Sequence, residues 1–193
     1  MKKGRILLII HDVYQDINVF PLGSAYVASV LKNDGHHVDT YCQDLYHYSN
    51  EDLAIYLKNN KYDVIGIGFL AARFDETIVN LCKVVNKYKK NAWLVLGGHG
   101  PSPIAKYVLR KTNVDIITIG EAEKSIVEIV KEKINRTCNL RSINGIAWRN
   151  NEEIFINNRE DPISVLDDIP FPLWDCFPID KYKKNVKIFE QPE

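Results

Sequence analysis

The sequence predicts an α/β protein with a doubly wound, five-stranded parallel sheet, followed by a β-hairpin and a Pro-rich tail. Apolar runs alternate with amphipathic helical segments five times over residues 5–134, which is the pattern of βα units joined by right-handed crossovers. The pattern then changes to a hairpin signal and afterwards to a tail containing Pro170, Pro172 and Pro178. A chain of 193 residues is long enough for one full core.

The first two units are predicted from their apolar runs and their helix boundaries. The Ile-rich run 5–10 is typical of a buried strand, and residues 21–33 form a helix whose small residues suit packing on a sheet. Alternation of side chains predicts a second strand at 37–42. A helix is predicted over 50–59 because Ser49 precedes it as a cap.

The remaining three units follow by the same reasoning. A third strand is predicted at 63–69 and a long amphipathic helix at 75–89. The run 92–96 is predicted to form the fourth strand, and residues 103–111 a helix with Pro in its first turn. The last unit comprises a strand at 115–119 and a helix at 121–134.

Three regions are expected along the chain. Residues 1–140 form the sheet domain, and residues 141–160 form a hairpin appendage whose two apolar strands flank the polar turn 149–152. Residues 161–193 form a Pro-rich, aromatic linker, because closely spaced prolines cannot continue a helix or a central strand. We expect the linker to be extended and pinned to the surface by three aromatic residues, Phe171, Trp174 and Phe177.

Composition excludes several classes of protein. Lys and Arg total 25, as do Asp and Glu, so the zero net charge argues against a nucleic-acid surface built on excess basic residues. No apolar run approaches membrane-spanning length, and the apolar run near Met1 is too short for a signal peptide, so a cytoplasmic location is expected. The four cysteines are far apart in sequence and predict neither a zinc site nor an iron–sulfur cluster.

The loops after the predicted strands favour a large, uncharged ligand. Paired glycines, Gly97 and Gly98, follow the fourth strand, at the sheet edge where α/β proteins bind ligands. A phosphorelay receiver is excluded because no acid ends the third strand, and a flavodoxin-type phosphate site is disfavoured by Asp12 and Asp16 after the first. A GxGxxA spacing that begins at Gly66 falls largely inside the third strand, and we attribute it to chance.

An ordered set of motifs resembles the N-terminal cobalamin-binding domain of B12-binding radical SAM proteins. The matching segments, which together cover most of the chain, are PLGSAYVA (21–28), LKNDGHHV (31–38), DVIGIG (63–68), GGHGP (97–101), GEAE (120–123), INGIAW (143–148) and LDDIPFP (166–172). The resemblance implies a Rossmann-like, flavodoxin-like cobalamin-binding fold. It also implies that the corrin lies over the carboxyl edge of the sheet and that the dimethylbenzimidazole tail is buried beside the strands.

By this resemblance Gly97 and Gly98 flank the tail, and Phe69 and Leu70 line its slot. The full set of expected cofactor contacts is Pro21, Leu22, Gly23, Phe69, Leu70, Ala71, Gly97, Gly98, His99, Gly100, Gly120 and Glu121. Two departures stand out. Gly68 replaces a Ser that is frequent in the family. The cobalt-ligating DxHxxG motif of methionine-synthase-type domains is absent, because the residue two positions after Asp12 is Tyr14 and not His. We therefore expect no lower axial His, no other protein-held metal and no catalytic residues.

The resemblance implies a domain that presents a corrinoid to a radical SAM barrel, in cis or in trans, and that is not catalytic alone. The CxxxCxxC motif that holds a 4Fe–4S cluster for S-adenosylmethionine cleavage is absent, so the chain is either a fragment or a stand-alone carrier, and whether it acts as an enzyme stays open. Two alternatives remain: an interaction module that has lost the ligand, with its aromatic tail as docking strip, and a nucleotide-binding protein. Neither nucleic acid nor a membrane is an expected partner.

Overall fold

The computed structural model describes residues 2–12, 19–69 and 76–185, with the backbone alone at residues 76 and 185. Its centre is a single sheet of seven strands in the order β2-β1-β3-β4-β5-β6-β7. The strands are β1 Arg5–Ile10, β2 His37–Cys42, β3 Val64–Gly68, β4 Trp93–Gly97, β5 Ile116–Thr118, β6 Ile146–Asn150 and β7 Glu153–Ile156.

The first five strands are parallel, as predicted, and their order is that of a flavodoxin-like doubly wound sheet. The predicted count of five strands is corrected to seven, because the hairpin pairs with the sheet. Strand β6 lies antiparallel to β5, with Ile117 opposite Ala147, and β7 pairs with β6. This pairing covers the edge of β5, a strand of only three residues.

Helices cover both faces of the sheet. They are α1 Leu22–Asn33, α2 Gln43–Tyr46, α3 Asn50–Asn59, α4 Glu76–Tyr88, α5 Ala105–Thr112, α6 Glu123–Asn135 and α7 Ile179–Asn185. A 3₁₀ turn at Ser102–Ile104 precedes α5, where the sequence predicted continuous helix. Helix α3 begins with the predicted cap, a capping box formed by Ser49 and Asp52. The sequence did not predict α2 or α7.

Each face of the sheet has its own apolar core, because successive strand residues point to opposite sides. One core contains Leu7, Ile9, Ile65 and Ile67 of the sheet together with residues of α3, α4 and α5. The other is built on strand residues such as Ile6 and contains residues of α1, α6 and the C-terminal tail. Within the described part of the chain, every helix falls short of the length and apolarity that a membrane span requires.

The C-terminal tail is held against the domain by residues 170–182, which we call the strap. Phe177 is buried, at 6% exposure, and Trp174 contacts Phe20 with ring centroids 4.9 Å apart. Phe171 is 91% exposed, so the prediction that it pins the tail is wrong. The strap ends in helix α7 rather than in extended chain. Tyr182 of this helix is buried in the same apolar core as residues of α1.

Candidate functional site

The ends of β3 and β4 form a braced double loop at the carboxyl edge of the sheet. Gly68 and Gly97 stand opposite each other in the β3–β4 register. Beyond them, the Phe69 amide donates to the Gly97 carbonyl at 3.1 Å, and the Gly100 amide donates to the Phe69 carbonyl at 3.0 Å. The loop after β4 is therefore fixed by backbone hydrogen bonds to the loop after β3.

Gly98 is required by this bracing. Its φ of +95° lies in the region that L-residues rarely adopt. A Cβ atom placed on it would lie 2.9 Å from the Phe69 carbonyl oxygen, which is shorter than the distances that real Cβ atoms keep from other atoms. The missing side chain at residue 98 thus leaves room for the neighbouring backbone, a need for glycine that the sequence did not reveal.

Ser102 ties a third strand end to the same loop. Its hydroxyl donates to the Gly98 carbonyl at 3.0 Å and accepts from the Gly120 amide at 3.3 Å, which joins the ends of β4 and β5. Ser102 is absent from the contacts that the sequence predicted. Ser102 lies between two prolines in the GHGPSP segment (98–103), which is a sequence signal for a structured turn. This signal could have been used to predict Ser102 as a residue of the site.

Bare backbone is exposed along this edge. Gly23 in the first turn of α1, Gly68 at the end of β3, Gly98 and Gly120 are all solvent-exposed, and we call these four the glycine-lined edge. Among the described residues, no atom lies within 4 Å of a Cβ placed on Gly23 or Gly120, and one placed on Gly68 only reaches ordinary contact, 3.8 Å from the Ser24 hydroxyl oxygen. A flat ligand can approach main-chain atoms here without displacing side chains.

The other predicted contacts occupy different places. Pro21 and exposed Leu22 begin α1 beside the glycine-lined edge, and His99 is exposed at the tip of the loop after β4. Gly100 is buried, and the Phe69 side chain is buried in the core on the face opposite α1, so its backbone rather than its ring serves the edge. Leu70 and Ala71 lie outside the described residues.

Two glutamates at the start of α6 differ in their environment. The Glu121 carboxylate accepts a hydrogen bond from the Ile163 amide at 2.8 Å, so it holds the tail segment. The Glu123 Oε2 atom is buried and accepts no hydrogen bond from the described residues. A buried acceptor without a hydrogen-bond donor lowers the stability of the folded protein. This oxygen is therefore suited to accept a hydrogen bond from a donor group on a ligand.

A second polar cluster lies at the ends of β1 and β2. The buried carboxylate of Asp12 contacts His47 Nδ1 at 2.7 Å. The Tyr182 hydroxyl donates to both Asp44 carboxylate oxygens, at 2.9 and 3.1 Å. Burial raises the pKa of Asp44 to about 6, and burial likewise raises the pKa of the Tyr182 hydroxyl. Asp12 thus pairs with His47, and Asp44 pairs with Tyr182 of the strap.

Comparison with known proteins identifies relatives of the whole architecture. A family model described as the B12 binding domain matches residues 8–130. The uncharacterized methyltransferase PH0819 of Pyrococcus horikoshii is 29% identical over 196 residues, covering 96% of this chain and 41% of that protein. The chain thus spans about two fifths of that relative.

Two solved structures share the fold. The cobalamin-dependent S-adenosylmethionine radical enzyme OxsB, with aqua-cobalamin bound, has a TM-score of 0.80 at 16% identity over 95% of this chain and 26% of that one. The radical S-adenosylmethionine methyltransferase TsrM from Kitasatospora setae, with cobalamin and a 4Fe–4S cluster bound, has a TM-score of 0.72 at 14% identity, covering 81% and 31% of the two chains.

Proposed function

The chain belongs to the family of B12-binding domains, and from that premise we propose that it holds cobalamin at the glycine-lined edge. The observation that carries the proposal is the row of exposed glycines across α1, β3, β4 and β5, together with a buried oxygen of Glu123, at the start of α6, that has no donor in the described part of the chain. Exposed main chain accommodates a broad planar ring, and the corrin carries amide side chains whose N–H groups are donors. Residues and cofactor therefore fit in shape and in hydrogen bonding.

Within this site, Gly68, Gly98 and Gly120 would lie against the cofactor through their backbone, and Glu123 would accept from one of its amides. Leu22 at the start of α1 would cover apolar area of the ring. Methylcobalamin, when bound, supplies a methyl group for transfer. This chain's own residues bind the cofactor, orient it and keep water from its buried part.

We further propose that cobalt is bound without a histidine of this chain as its lower axial ligand. Tyr14, two residues after Asp12, occupies the position of the DxHxxG histidine, and His47 contacts the Asp12 carboxylate through Nδ1. The spectrum of bound cob(II)alamin tests this point, because a nitrogen ligand splits the electron paramagnetic resonance lines and oxygen does not. A nitrogen splitting that disappears in His11→Ala or in His47→Ala would contradict the proposal.

The reaction is proposed from the relatives. OxsB and TsrM are radical S-adenosylmethionine enzymes, and this chain aligns with about a quarter to a third of their length. We propose that the domain presents cobalamin to a radical S-adenosylmethionine domain that continues the same polypeptide, for methyl transfer or a related radical reaction. The domain binds the cofactor but is not catalytic by itself.

Binding of hydroxocobalamin to the purified chain tests the central proposal, with Gly68→Leu as the deciding variant. A Cβ at residue 68 makes only ordinary contacts, at 3.8 Å or more, and needs no unusual φ, so the variant is expected to fold. Its side chain would cover the glycine-lined edge, and we expect affinity to fall at least about tenfold, or ~1.4 kcal/mol. The control is Ile55→Leu, a change at an exposed residue of α3 outside the glycine-lined edge, which is expected to bind like the parent.

A parent protein that elutes colourless after mixing with micromolar hydroxocobalamin would contradict cobalamin binding. Equal affinity of Gly68→Leu and the parent would move the site away from the glycine-lined edge.

A further inference from the structure

Phe20 links the strap to the wall of the proposed cofactor site. Its ring lies among three aromatic rings of the strap, with centroid distances of 4.9 Å to Trp174, 5.3 Å to Phe177 and 5.5 Å to Tyr182. The Phe20 carbonyl accepts a hydrogen bond from the Leu22 amide at 2.8 Å, at the very start of α1. The strap thereby holds the residue from which α1 begins.

The strap also contacts α1 directly. The Leu173 amide donates to the Ala25 carbonyl at 3.0 Å, and the Ser29 hydroxyl donates to the Pro170 carbonyl at 3.2 Å. Ala25 and Ser29 are buried. Helix α1 is therefore packed between the sheet on one side and the strap on the other, and its first turn carries Gly23 of the glycine-lined edge.

The far end of the strap is fixed at the second polar cluster. The Tyr182 hydroxyl donates to both oxygens of Asp44 in α2, and the Lys181 ammonium lies 4.1 Å from the centre of the Tyr46 ring. Cation–π contacts and charge-assisted hydrogen bonds of this kind favour one docked position. The strap is thus attached at α1 and at α2, and Phe20 is gripped between these two attachments.

We propose that the strap is a positioning element of the cofactor site: by gripping Phe20 it fixes the first turn of α1, so that strap docking and cobalamin binding strengthen each other. Phe20, Phe177 and Tyr182 are positioning residues that act through α1, because the contacts above join them to α1 and α2. This inference rests on the proposed cobalamin site. Coupling between two binding events is reciprocal, so cobalamin must also tighten the strap.

The experiment compares two Phe→Ala variants in the same segment of the full chain. Phe177→Ala removes a buried ring that contacts Phe20, whereas Phe171→Ala removes a ring that is 91% exposed and serves as the matched control. Tyr182→Phe is a milder variant that keeps the ring and removes the hydroxyl that binds Asp44. Hydroxocobalamin affinity and backbone hydrogen exchange of residues 22–26 and 173–183 are measured for each.

We expect Phe177→Ala to weaken cobalamin binding by at least about fivefold, the lower range of coupling between sites, while exchange rises in both segments. Tyr182→Phe is expected to change both quantities in the same direction by a smaller factor, and Phe171→Ala to change neither. Hydroxocobalamin is expected to slow exchange of residues 173–183 in the parent.

Faster exchange in the strap of Phe177→Ala with unchanged exchange at residues 22–26 would overturn the inference, as would unchanged cobalamin affinity. If the parent binds no cobalamin, the proposed function fails. The exchange of residues 22–26 in Phe177→Ala then still decides whether the strap sets the start of α1.

Discussion

Replacing Gly98 by Ala tests the idea that backbone packing dictates the paired glycines. The added Cβ would lie 2.9 Å from the Phe69 carbonyl oxygen and 3.4 Å from its nitrogen, both rigid backbone atoms of the loop after β3. An L-residue at a φ of +95° costs about 1–3 kcal/mol. Displacing the loop also weakens the two Phe69 backbone hydrogen bonds, each worth about 0.5–1.5 kcal/mol.

Together these effects predict a loss of about 2–4 kcal/mol from the free energy of unfolding, within the stability of about 5–15 kcal/mol of a typical domain. Urea unfolding measures the loss, and Gly23→Ala is the matched control because the same substitution meets no atom within 4 Å. In that helical position Ala is expected to stabilise by up to about 1 kcal/mol.

Cobalamin affinity of Gly98→Val is expected to fall at least about tenfold, ~1.4 kcal/mol, through displacement of this loop. Equal unfolding midpoints for Gly98→Ala and Gly23→Ala would refute the packing argument for the loop.

Three further changes test other parts of the structure. Ser102→Ala removes the bridge between the Gly98 carbonyl and the Gly120 amide, and should cost about 1 kcal/mol in urea unfolding and weaken cobalamin binding; an unchanged midpoint would show that the bridge is not formed. Glu123→Gln should leave the free energy of unfolding unchanged or raise it slightly, because the buried oxygen has no donor among the described residues. The same variant should lower cobalamin affinity in a spectral titration, and tighter binding would exclude the glutamate as an acceptor. The pKa of Asp44 is raised in the folded protein to about 6, so folding binds its proton more tightly; this stability is present below about pH 4 and lost as pH rises through about 6. The free energy of unfolding of the parent should therefore fall, relative to that of Asp44→Asn, by on the order of 2–3 kcal/mol from pH 4 to pH 7, and a difference independent of pH would exclude the shift.

The parallel sheet could be predicted from sequence because its signals are local. Apolar runs and helix boundaries lie within each βα unit, and parallel pairing follows from their alternation. The strand with which the hairpin pairs could not be predicted in the same way. Its turn is encoded locally, but its docking on β5 depends on contacts such as Thr118 opposite Ile146, between segments that carry no mutual signal.

The sequence predicted where the glycine pair lies in the fold and not why glycine is needed there. Gly97 and Gly98 lie at the carboxyl end of β4, as expected, since glycines after a buried strand are a local signal. The reason for Gly98 is the approach of Phe69, which only tertiary structure provides. The strap was missed for the same reason: its buried contact between Tyr182 and Asp44 joins residues 138 positions apart.

The acidic residues near the carboxyl edge of the sheet affect which ligands the proposed site can bind. Asp12 and Asp44 lie after β1 and β2, where free carboxylates would repel an anion, but one contacts His47 and the other accepts from Tyr182. Glu121 is likewise engaged by the Ile163 amide. These three acids are thus used inside the protein, and Glu123 keeps a buried oxygen without a donor among the described residues. At the proposed site, exposed backbone with one such acceptor favours a neutral surface that carries N–H donors over a phosphate, which agrees with the proposal of a corrin rather than a nucleotide.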